Sequence, residues 1–597
     1  MKEDKMSKLT YSVCCCFKRK FKFRESEAPA EIKSLFQDYS ENGVMTVEHL
    51  QRFLQEVQGE EKVSLEEAES FMEAIIKDIK HLHMLHRKVL HLEGFFRYLF
   101  SDVVNYPLIS INKEHQDMTA PLSHYFIYTS HNSYLTGNQI SSDSSDEPII
   151  KALEKGVRVI ELDMWPNSTK DNVDIYHGRT LTAPVDLIKC LRSIRKHAFV
   201  ASEYPVILTL EDHLTPDLQA KVAEMVTSTF GDVLFCSESD VLSEFPSPES
   251  LKRRIIISTK PPKEYLQTKS SKEKPQVEDD TEKVKKSSEE AVWGKEVPNI
   301  ADQLKSNIEV QSDSEYYEEE DGHSLQNAAP QYKSLIAIQA RKRKGSMKEC
   351  LRVDPDSVTR ISLGEEKFEK AVLSHGPDLI RFTQRNLLRI FPKAMRLDSS
   401  NYNPLIGWLH GAQMVALNMQ GHGRYLWLMQ GLFRANGGCG YVKKPDILQQ
   451  IGPHKEVFDP NRVLPVRKTL KVKVYMGEGW HLDFHSTHFD KYSPPDFYVK
   501  VGIAGVAVDS KVKKTKIIED NWIPNWDQEF EFPLTIPQLA LLRIEVHEYD
   551  MSEKDDFGGQ TCLPVWELRK GIRAIPLYDQ KGEKYKSVKL LMRFDFV

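Results

Sequence analysis

GVRVIELDMW, residues 156–165, is a β-rich run that closes on two acids, Glu161 and Asp163. Successive side chains of a strand alternate faces, so these two carboxylates point the same way. Similar runs recur along the chain: HYFIYTS at 124–130, NVDIYHG at 172–178, PVILTLED at 205–212 and RRIIIST at 253–259. Each is followed by polar residues and then by helical spacing, the rhythm of β and α units alternating around a parallel sheet. The rhythm resumes with YKSLIAIQA at 332–340, NLLRIFP at 386–392 and AQMVALNMQ at 412–420. Five runs before the interruption and three after it make eight, the number that closes a TIM barrel. A doubly wound open sheet shares this rhythm, but the strand ends favour the barrel.

Barrel enzymes carry their reactive groups at the C-terminal ends of the strands. Read in order, those ends are His131 and Asn132, Glu161 and Asp163, His177, Glu211, and Lys260. Any one of these acids alone reads as a solvated strand end, and a lone histidine as a satisfied core or loop residue. Five polar endings in succession on one rim are not surface decoration. Glu161, Asp163 and Glu211, with the amide oxygen of Asn132, form an all-oxygen set that suits calcium or magnesium rather than zinc. Without a cation, three carboxylates so close would raise one another's pKa.

Outward from the barrel the chain changes character. Residues 29–105 have helical spacing, as in EIKSLFQDY at 31–39, VEHLQRFLQEV at 47–57 and LEGFFRYLF at 92–100. Asp38, Ser40, Asn42 and Gly43 echo the opening of an EF-hand loop, but the twelfth position is His49 where calcium needs a bidentate glutamate. A structural helical pair is expected there. Residues 263–331 are rich in Lys, Glu, Ser and Asp, with the acidic run SDSEYYEEEDG at 312–322, and are expected to be disordered. The barrel halves are then 106–262 and 332–448, with a connector at 449–466. From 467 to 597, alternating runs such as TLKVKVYM and LLRIEVHEYD between Pro and Asp turns predict an antiparallel β-sandwich. The fold class is multidomain, α/β plus all-β.

Residues 1–28 hold CCCFKRKFKFR at 14–24. This reads either as a solvated tail or as an anchor combining acylated Cys14, Cys15 and Cys16 with a basic patch. The net charge of −6 excludes a chain-wide field of the kind that gathers on nucleic acid, and no CxxC pair suggests zinc. No signal peptide or membrane-length apolar run is present, so a cytoplasmic, monomeric protein is expected.

The strings SHNSYLTGNQ (130–139), GVRVIELDMW, YHGRTLT (176–182) and PVILTLEDH (205–213) resemble the X region of eukaryotic phosphoinositide-specific phospholipase C. LRIFP (388–392), DSSNYNP (398–404) and NGGCGYVKKP (436–445) are similar to its Y region. With no room ahead of the helices for a pleckstrin module, the layout looks like the short plant-type enzymes, with EF-hand-like, X, Y and C2 regions. The resemblance implies a split TIM-like barrel that hydrolyses phosphatidylinositol 4,5-bisphosphate, and its 4-phosphate, to diacylglycerol and inositol phosphate. Calcium held by Asn132, Glu161, Asp163 and Glu211 would activate the inositol 2-hydroxyl, with Glu161 as base. His131 would stabilise the phosphoryl oxygens and His177 would protonate the leaving oxygen, through a cyclic phosphodiester. Lys260, Ser362 and Arg389 match contacts to ring phosphates, and Phe391 matches an aromatic that packs on the inositol ring.

Two departures stand out: Ser258 replaces a phosphate-binding lysine of many animal relatives, and Phe391 replaces a tyrosine. EVHEYDMSEKDDFGG (545–559) looks like a C2 calcium loop, with Asp490, Asp496, Asp520, Asn521, Glu548, Asp550 and Asp556 as candidate ligands. Anionic lipid at the inner face of the plasma membrane is the expected partner. The C2 end, the cluster Arg341, Lys342, Arg343 and Lys344, and an apolar ridge of Ile140, Leu181 and Met395 would face it. A catalytically silent adaptor binding calcium and phosphoinositides is the competing reading; intact His131 and His177 argue against it.

Overall fold

The computed structural model describes residues 8–14, 17–22, 26–78, 89–110, 113–237, 242–260, 329–341, 345–550 and 554–597. The chain divides into two units. One comprises Gln116–Gly421 and Cys439–Pro460; the other comprises Met1–His115, His422–Gly438 and Asn461–Val597. Of the expected insertion at 263–331, residues 263–328 lie outside the described residues, as do Cys15, Cys16, Lys342, Arg343 and Lys344; its last residues instead enter the helix Pro330–Ser334.

The first unit is a parallel barrel. Its staves are β1 (Tyr125–Ile127), β2 (Val159–Pro166), β3 (Val206–Asp212), β4 (Ile255–Thr259), β5 (Ile336–Gln339), β6 (Arg360–Gly364), β7 (Leu387–Phe391) and β8 (Met414–Val415). Strands β2 to β5 pair in sequence, as do β6 to β8, all in parallel. Three parallel bridges close the ring: Thr129 with Val159, Ala340 with Arg360, and Ser130 with Leu417. Aliphatic and aromatic residues on the staves, among them Ile127, Val159, Ile207, Ile256, Leu387 and Met414, form one core cluster. The strand Tyr441–Lys443 adds to β1 in antiparallel fashion, and Tyr441 donates from its hydroxyl to Pro205 O at 3.0 Å.

The count of eight holds, but one member is different from the expected set. NVDIYHG is not a stave: Val173–Ile175 pairs antiparallel with β2 as a hairpin. The turn Asn167–Asn172 between them is too short for a parallel crossover, which needs about a dozen residues or more. The missing stave is β6, RISLG, whose two apolar residues, Ile361 and Leu363, give too weak a pattern to stand out. The barrel is therefore split four and four rather than five and three.

In the second unit, α1 (Ala30–Asp38), α2 (Val47–Glu56), α3 (Leu65–Asp78) and α4 (Leu92–Leu99) form the EF-hand-like region. Met45 and Leu90 bridge its two loops. His49, at the position that would complete calcium coordination, instead closes a capping box with Thr46 at the start of α2. The sandwich contains β9 (Lys468–Glu478), β10 (Phe497–Ala504), β11 (Val512–Lys514), β12 (Asn525–Leu534), β13 (Leu541–Glu548), β14 (Asp556–Pro564), β15 (Gly571–Tyr578) and β16 (Lys584–Phe596). Their order is β11-β10-β13-β14-β15-β16-β9-β12, and Gln560 with Tyr578 is the sole β14–β15 pair. Two four-stranded layers thus enclose a core that includes Trp480, Phe497 and Trp526.

Helices and sandwich share apolar surface: Tyr475, Met476, Ile572 and Leu591 belong to the same cluster as Phe53 and Phe95. The N-terminal segment is more than a solvated tail. Lys8–Cys14 and Phe17–Lys22 form a hairpin, and buried Tyr11 accepts a 2.9 Å hydrogen bond from Trp522 Nε1.

Candidate active site

The barrel register builds the site. Asp163 on β2 lies beside Glu211 on β3, and Glu161 lies beside Thr209 one layer deeper. One carboxylate oxygen each from Glu161, Asp163 and Glu211 comes within 4.8 Å of the others, a grouping found only here among the described residues. Glu161 and Asp163 are each 4% exposed. Asp163 Oδ2 accepts from Tyr134 OH at 2.7 Å, while its Oδ1 is buried with no hydrogen-bond partner. Burial first, then the charges of Glu211 and Glu161, push the Asp163 carboxyl well above the usual carboxylate range. Glu211 goes the other way: burial opposes ionisation, but the His213 hydrogen bond and the cations Lys260 and Arg389 outweigh it. Of these two neighbours, Asp163 is thus the one pushed toward its protonated form and Glu211 the one pushed toward its ionised form.

Asn132, in the left-handed backbone region at φ 40°, donates its backbone N–H to Glu161 Oε2 at 3.1 Å. Its amide nitrogen donates to Gln139 Oε1 at 2.8 Å, which leaves Oδ1 as the amide atom for a ligand. Three clustered carboxylates, one orphaned carboxylate oxygen and one amide oxygen fit a hard divalent cation of the calcium or magnesium class.

The two imidazoles are held by their Nδ1 atoms. His131 Nδ1 stands 2.9 Å from Asn418 Oδ1, and its Nε2 faces Glu161 Oε2 at 4.0 Å. Burial pushes this ring below the ordinary histidine range, against the pull of Glu161. His177 Nδ1 stands 2.7 Å from the backbone carbonyl of Gln139. A carbonyl oxygen can only accept, so Nδ1 carries the hydrogen and Nε2 is the reactive nitrogen.

The residues matched to headgroup contacts divide between rim and interior. Lys260 is exposed at the end of β4. Ser362 is in register with Arg389, and Gly364 with Phe391. The Arg389 guanidinium lies 5.5 Å from the Phe391 ring centre. Arg389 itself is 4% exposed, and its Nη2 stands 2.5 Å from Glu161 Oε2, a layer below the place expected for a rim arginine. Ser258 is fully buried and donates to Ile338 O at 3.0 Å.

Sequence reading missed Tyr134, Gln139, Asn418 and His213. His213 stacks on Trp165 with ring centres 3.8 Å apart and places Nε2 3.4 Å from Glu211 Oε1. Asn418 follows β8 just as His131 follows β1, so the strand-end signal was present; Gln139 and Tyr134 sit in a loop with no such signal.

At the sandwich end, Asp490 and Asp520 lie near enough to Asp496 to raise it, after its own burial. Burial, then Asp496, Asp490 and Asp556, holds Glu548 up at about 8. Asp520 donates its N–H to Asp496 Oδ1 at 2.7 Å. Asn521 turns its Oδ1 to Ile523 N at 2.9 Å, so Asp520 is the one facing the cluster. Asp550 donates its N–H to Asp555 Oδ1 at 3.3 Å.

Family models match along the chain: phosphoinositide-specific phospholipase C, efhand-like, at 26–105; phosphatidylinositol-specific phospholipase C, X domain, at 118–261, and Y domain, at 334–447; and C2 domain at 468–579. Phosphoinositide phospholipase C 2 of Arabidopsis thaliana is 62% identical over 99% of this chain and 100% of its own length. The 1-phosphatidylinositol 4,5-bisphosphate phosphodiesterase delta-1 of Rattus norvegicus is 32% identical over 94% of this chain and 71% of its own. The crystal structure of S. officinalis PLC21 shares the fold, with a TM-score of 0.70 at 24% identity over 96% of this chain and 68% of that one.

Proposed function

The chain belongs to the plant phosphoinositide-specific phospholipase C family, and from that premise we propose how its barrel site cleaves lipid. As a phosphoinositide phospholipase C it hydrolyses the bond between diacylglycerol and the inositol phosphate headgroup. Phosphatidylinositol 4,5-bisphosphate, the substrate in the name of the rat relative, is the proposed substrate here, with the 4-phosphate turned over comparably. Supporting the second part, the Ser258 hydroxyl is spent on Ile338 O, so a cation available to one more ring phosphate in many animal relatives is absent at this position.

Asn132 Oδ1, Glu161, Asp163 and Glu211 would hold calcium. When bound, the ion supplies the positive charge that lowers the pKa of the inositol 2-hydroxyl and offsets charge on the phosphate. Glu161 takes the hydroxyl proton. The 2-oxygen forms its bond to phosphorus as the bond to the diacylglycerol oxygen breaks. His131 donates from Nε2 to a phosphoryl oxygen; its Nδ1 hydrogen being committed to Asn418, the ring carries a second proton for this, favoured by the anionic phosphodiester. His177, its Nδ1–H held by Gln139 O, acts as the imidazolium and gives the proton on Nε2 to the leaving oxygen. Water then opens the cyclic phosphodiester with the acid and base roles reversed. The clustering of three carboxylates within 4.8 Å, flanked by both imidazoles, carries this reading.

The rim is also suited to lipid. Ile140, Leu181 and Met395 are 38%, 83% and 76% exposed. Leu181 donates its N–H to Ile140 O at 2.7 Å, and Gln139 donates its own to Leu397 O at 2.9 Å, so three loops carry one apolar ridge. Among the described residues no helix is long and apolar enough to cross a membrane. Peripheral attachment at the inner face of the plasma membrane, through this ridge and the sandwich acids with calcium, completes the reading.

The experiment is release of water-soluble inositol phosphate from vesicles holding phosphatidylinositol, its 4-phosphate or its 4,5-bisphosphate, over a calcium titration. Calcium-dependent release that His131→Ala and His177→Ala each reduce by ~10²-fold or more supports it. No release by folded protein, or release indifferent to calcium, rejects it.

A further inference from the structure

Both imidazoles and the neutral metal-ligand candidate converge on one loop residue. Gln139 is 5% exposed. Its Oε1 accepts from Asn132 Nδ2 at 2.8 Å. Its Nε2 donates to Ser399 Oγ at 2.8 Å and to Asn418 Oδ1 at 3.2 Å. Its backbone carbonyl receives His177 Nδ1 at 2.7 Å.

The direction of this chain of amides is fixed from its far end. Asn418 Nδ2 donates to the backbone carbonyl of Ser400 at 3.1 Å, so Asn418 Oδ1 must be the atom facing Gln139 and His131. A carbonyl oxygen there demands N–H groups from both: Nε2 of Gln139 and Nδ1–H of His131. With Nε2 so used, Gln139 presents Oε1 to Asn132, which turns the Asn132 nitrogen inward and its oxygen toward the carboxylates. Reversing any one amide sets donor against donor or acceptor against acceptor in a buried site, where an unmet polar group is costly.

We propose that Gln139 is a positioning residue that presents the oxygen of Asn132 to the cation, holds the Nδ1–H of His131 in place through Asn418 and that of His177 through its own carbonyl, and so aims both Nε2 atoms at the substrate. It touches none of the reacting atoms. The inference rests on the calcium-assisted reading of the barrel site.

Two variants separate its contacts. Gln139→Glu is isosteric and retains an acceptor for Asn132, but offers an oxygen to Asn418 Oδ1 and so breaks the relay toward His131. Gln139→Met fills the space and removes both contacts. Full-length proteins are compared by kcat and KM on phosphatidylinositol 4,5-bisphosphate vesicles, by calcium binding in calorimetry without lipid, and by the ratio of cyclic to acyclic inositol phosphate released. In both variants kcat falls ~10–100-fold with KM within about twofold of the parent. Calcium binding weakens in Gln139→Met and holds within about threefold in Gln139→Glu. The cyclic fraction rises in both, because misplaced imidazoles slow the second step.

Equal kcat in parent and variants, or a loss of activity matched by loss of folded protein with an unchanged product ratio, overturns the proposal. Should Gln139→Met fail to fold, kcat and product ratio in Gln139→Glu decide. An inactive parent instead rejects the calcium-assisted reading itself, so the two failures are distinguishable.

Discussion

At the scale of single residues, the site is a charge problem solved in advance of its cation. Asp163 holds its proton to higher pH than an ordinary carboxyl because burial and two neighbouring carboxylates disfavour its ionised form. The unfolded chain ionises this group near the ordinary value, so the folded state holds the extra proton. Stability from that group is greatest at low pH and falls as pH rises above the unfolded value, by about 1.4 kcal/mol per unit up to the folded one. Asp163→Asn keeps an acceptor for Tyr134 OH and removes that penalty. It is expected to raise the thermal midpoint of the calcium-free protein at pH 7, reduce the further rise on adding calcium to the part due to the sandwich acids, and lower kcat by ~10²-fold or more. Scanning calorimetry with and without calcium checks it; a variant still stabilised by calcium like the parent would remove Asp163 from the ligand set.

At the scale of elements, strand ends transmit strain into this cluster. A Cβ on Gly178 would lie 2.0 Å from Trp165 Cζ2, on the ring that stacks on His213. Gly178→Ala is expected to destabilise by about 1–3 kcal/mol through overpacking and, by displacing His213 from Glu211, to weaken calcium binding. Denaturant midpoints and calorimetry test both, and unaltered calcium affinity would cut the path through His213. The helix Pro404–Leu409 is also pH-sensitive. Its C-terminal His410 is buried and donates Nδ1–H to Ile406 O at 2.8 Å, and burial above all holds it at about 4. The unfolded ring titrates near 6.5, so stability is full above that value and falls between pH 6.5 and about 4 as only the unfolded state takes up the proton. The loss approaches about 3 kcal/mol. His410→Gln, compared with the parent in urea melts at pH 7.5 and 5, should flatten this difference; an unchanged slope assigns the acid sensitivity elsewhere. Elements also mark where sequence was readable. The acids of β2 and β3 were legible because an alternating strand fixes which side chains share a face. The short turn after Pro166 already excluded a parallel crossover to Val173, but pattern outweighed length there. Stave β6 and the Gln139 relay were not legible: one carries little apolar contrast, and the other depends on amides brought together from loops near residues 139, 399 and 418.

At the scale of the whole chain, the segment between Lys260 and Ala329 joins two strands that are already neighbours. β5 pairs with β4 in parallel, with Ile336 beside Ile257, and the opposite seam is held by Ser130 with Leu417 and by Tyr441 against Ile127. A cut between residues 280 and 310 divides both units rather than separating them. The barrel keeps β1 to β4 on one fragment and β5 to β8 on the other. In the second unit, α1 to α4 stay with the first fragment while Tyr475, Met476, Ile572 and Leu591, which share their core cluster, stay with the second. Gln58 bridges the same division, accepting from Ile572 N at 2.6 Å and donating to Ile572 O at 2.8 Å. The covalent link contributes an effective concentration of about millimolar order, small beside two shared cores. Residues 1–290 and 300–597, expressed together with a tag on one, are therefore expected to co-purify and to hydrolyse lipid with calcium at a kcat within about threefold of the uncut enzyme. Either fragment alone should be insoluble or unfolded, because each leaves half of two apolar cores in water. Fragments that separate on dilution to micromolar concentration, or that co-purify without activity, would show that the connection does more than hold the two halves near each other.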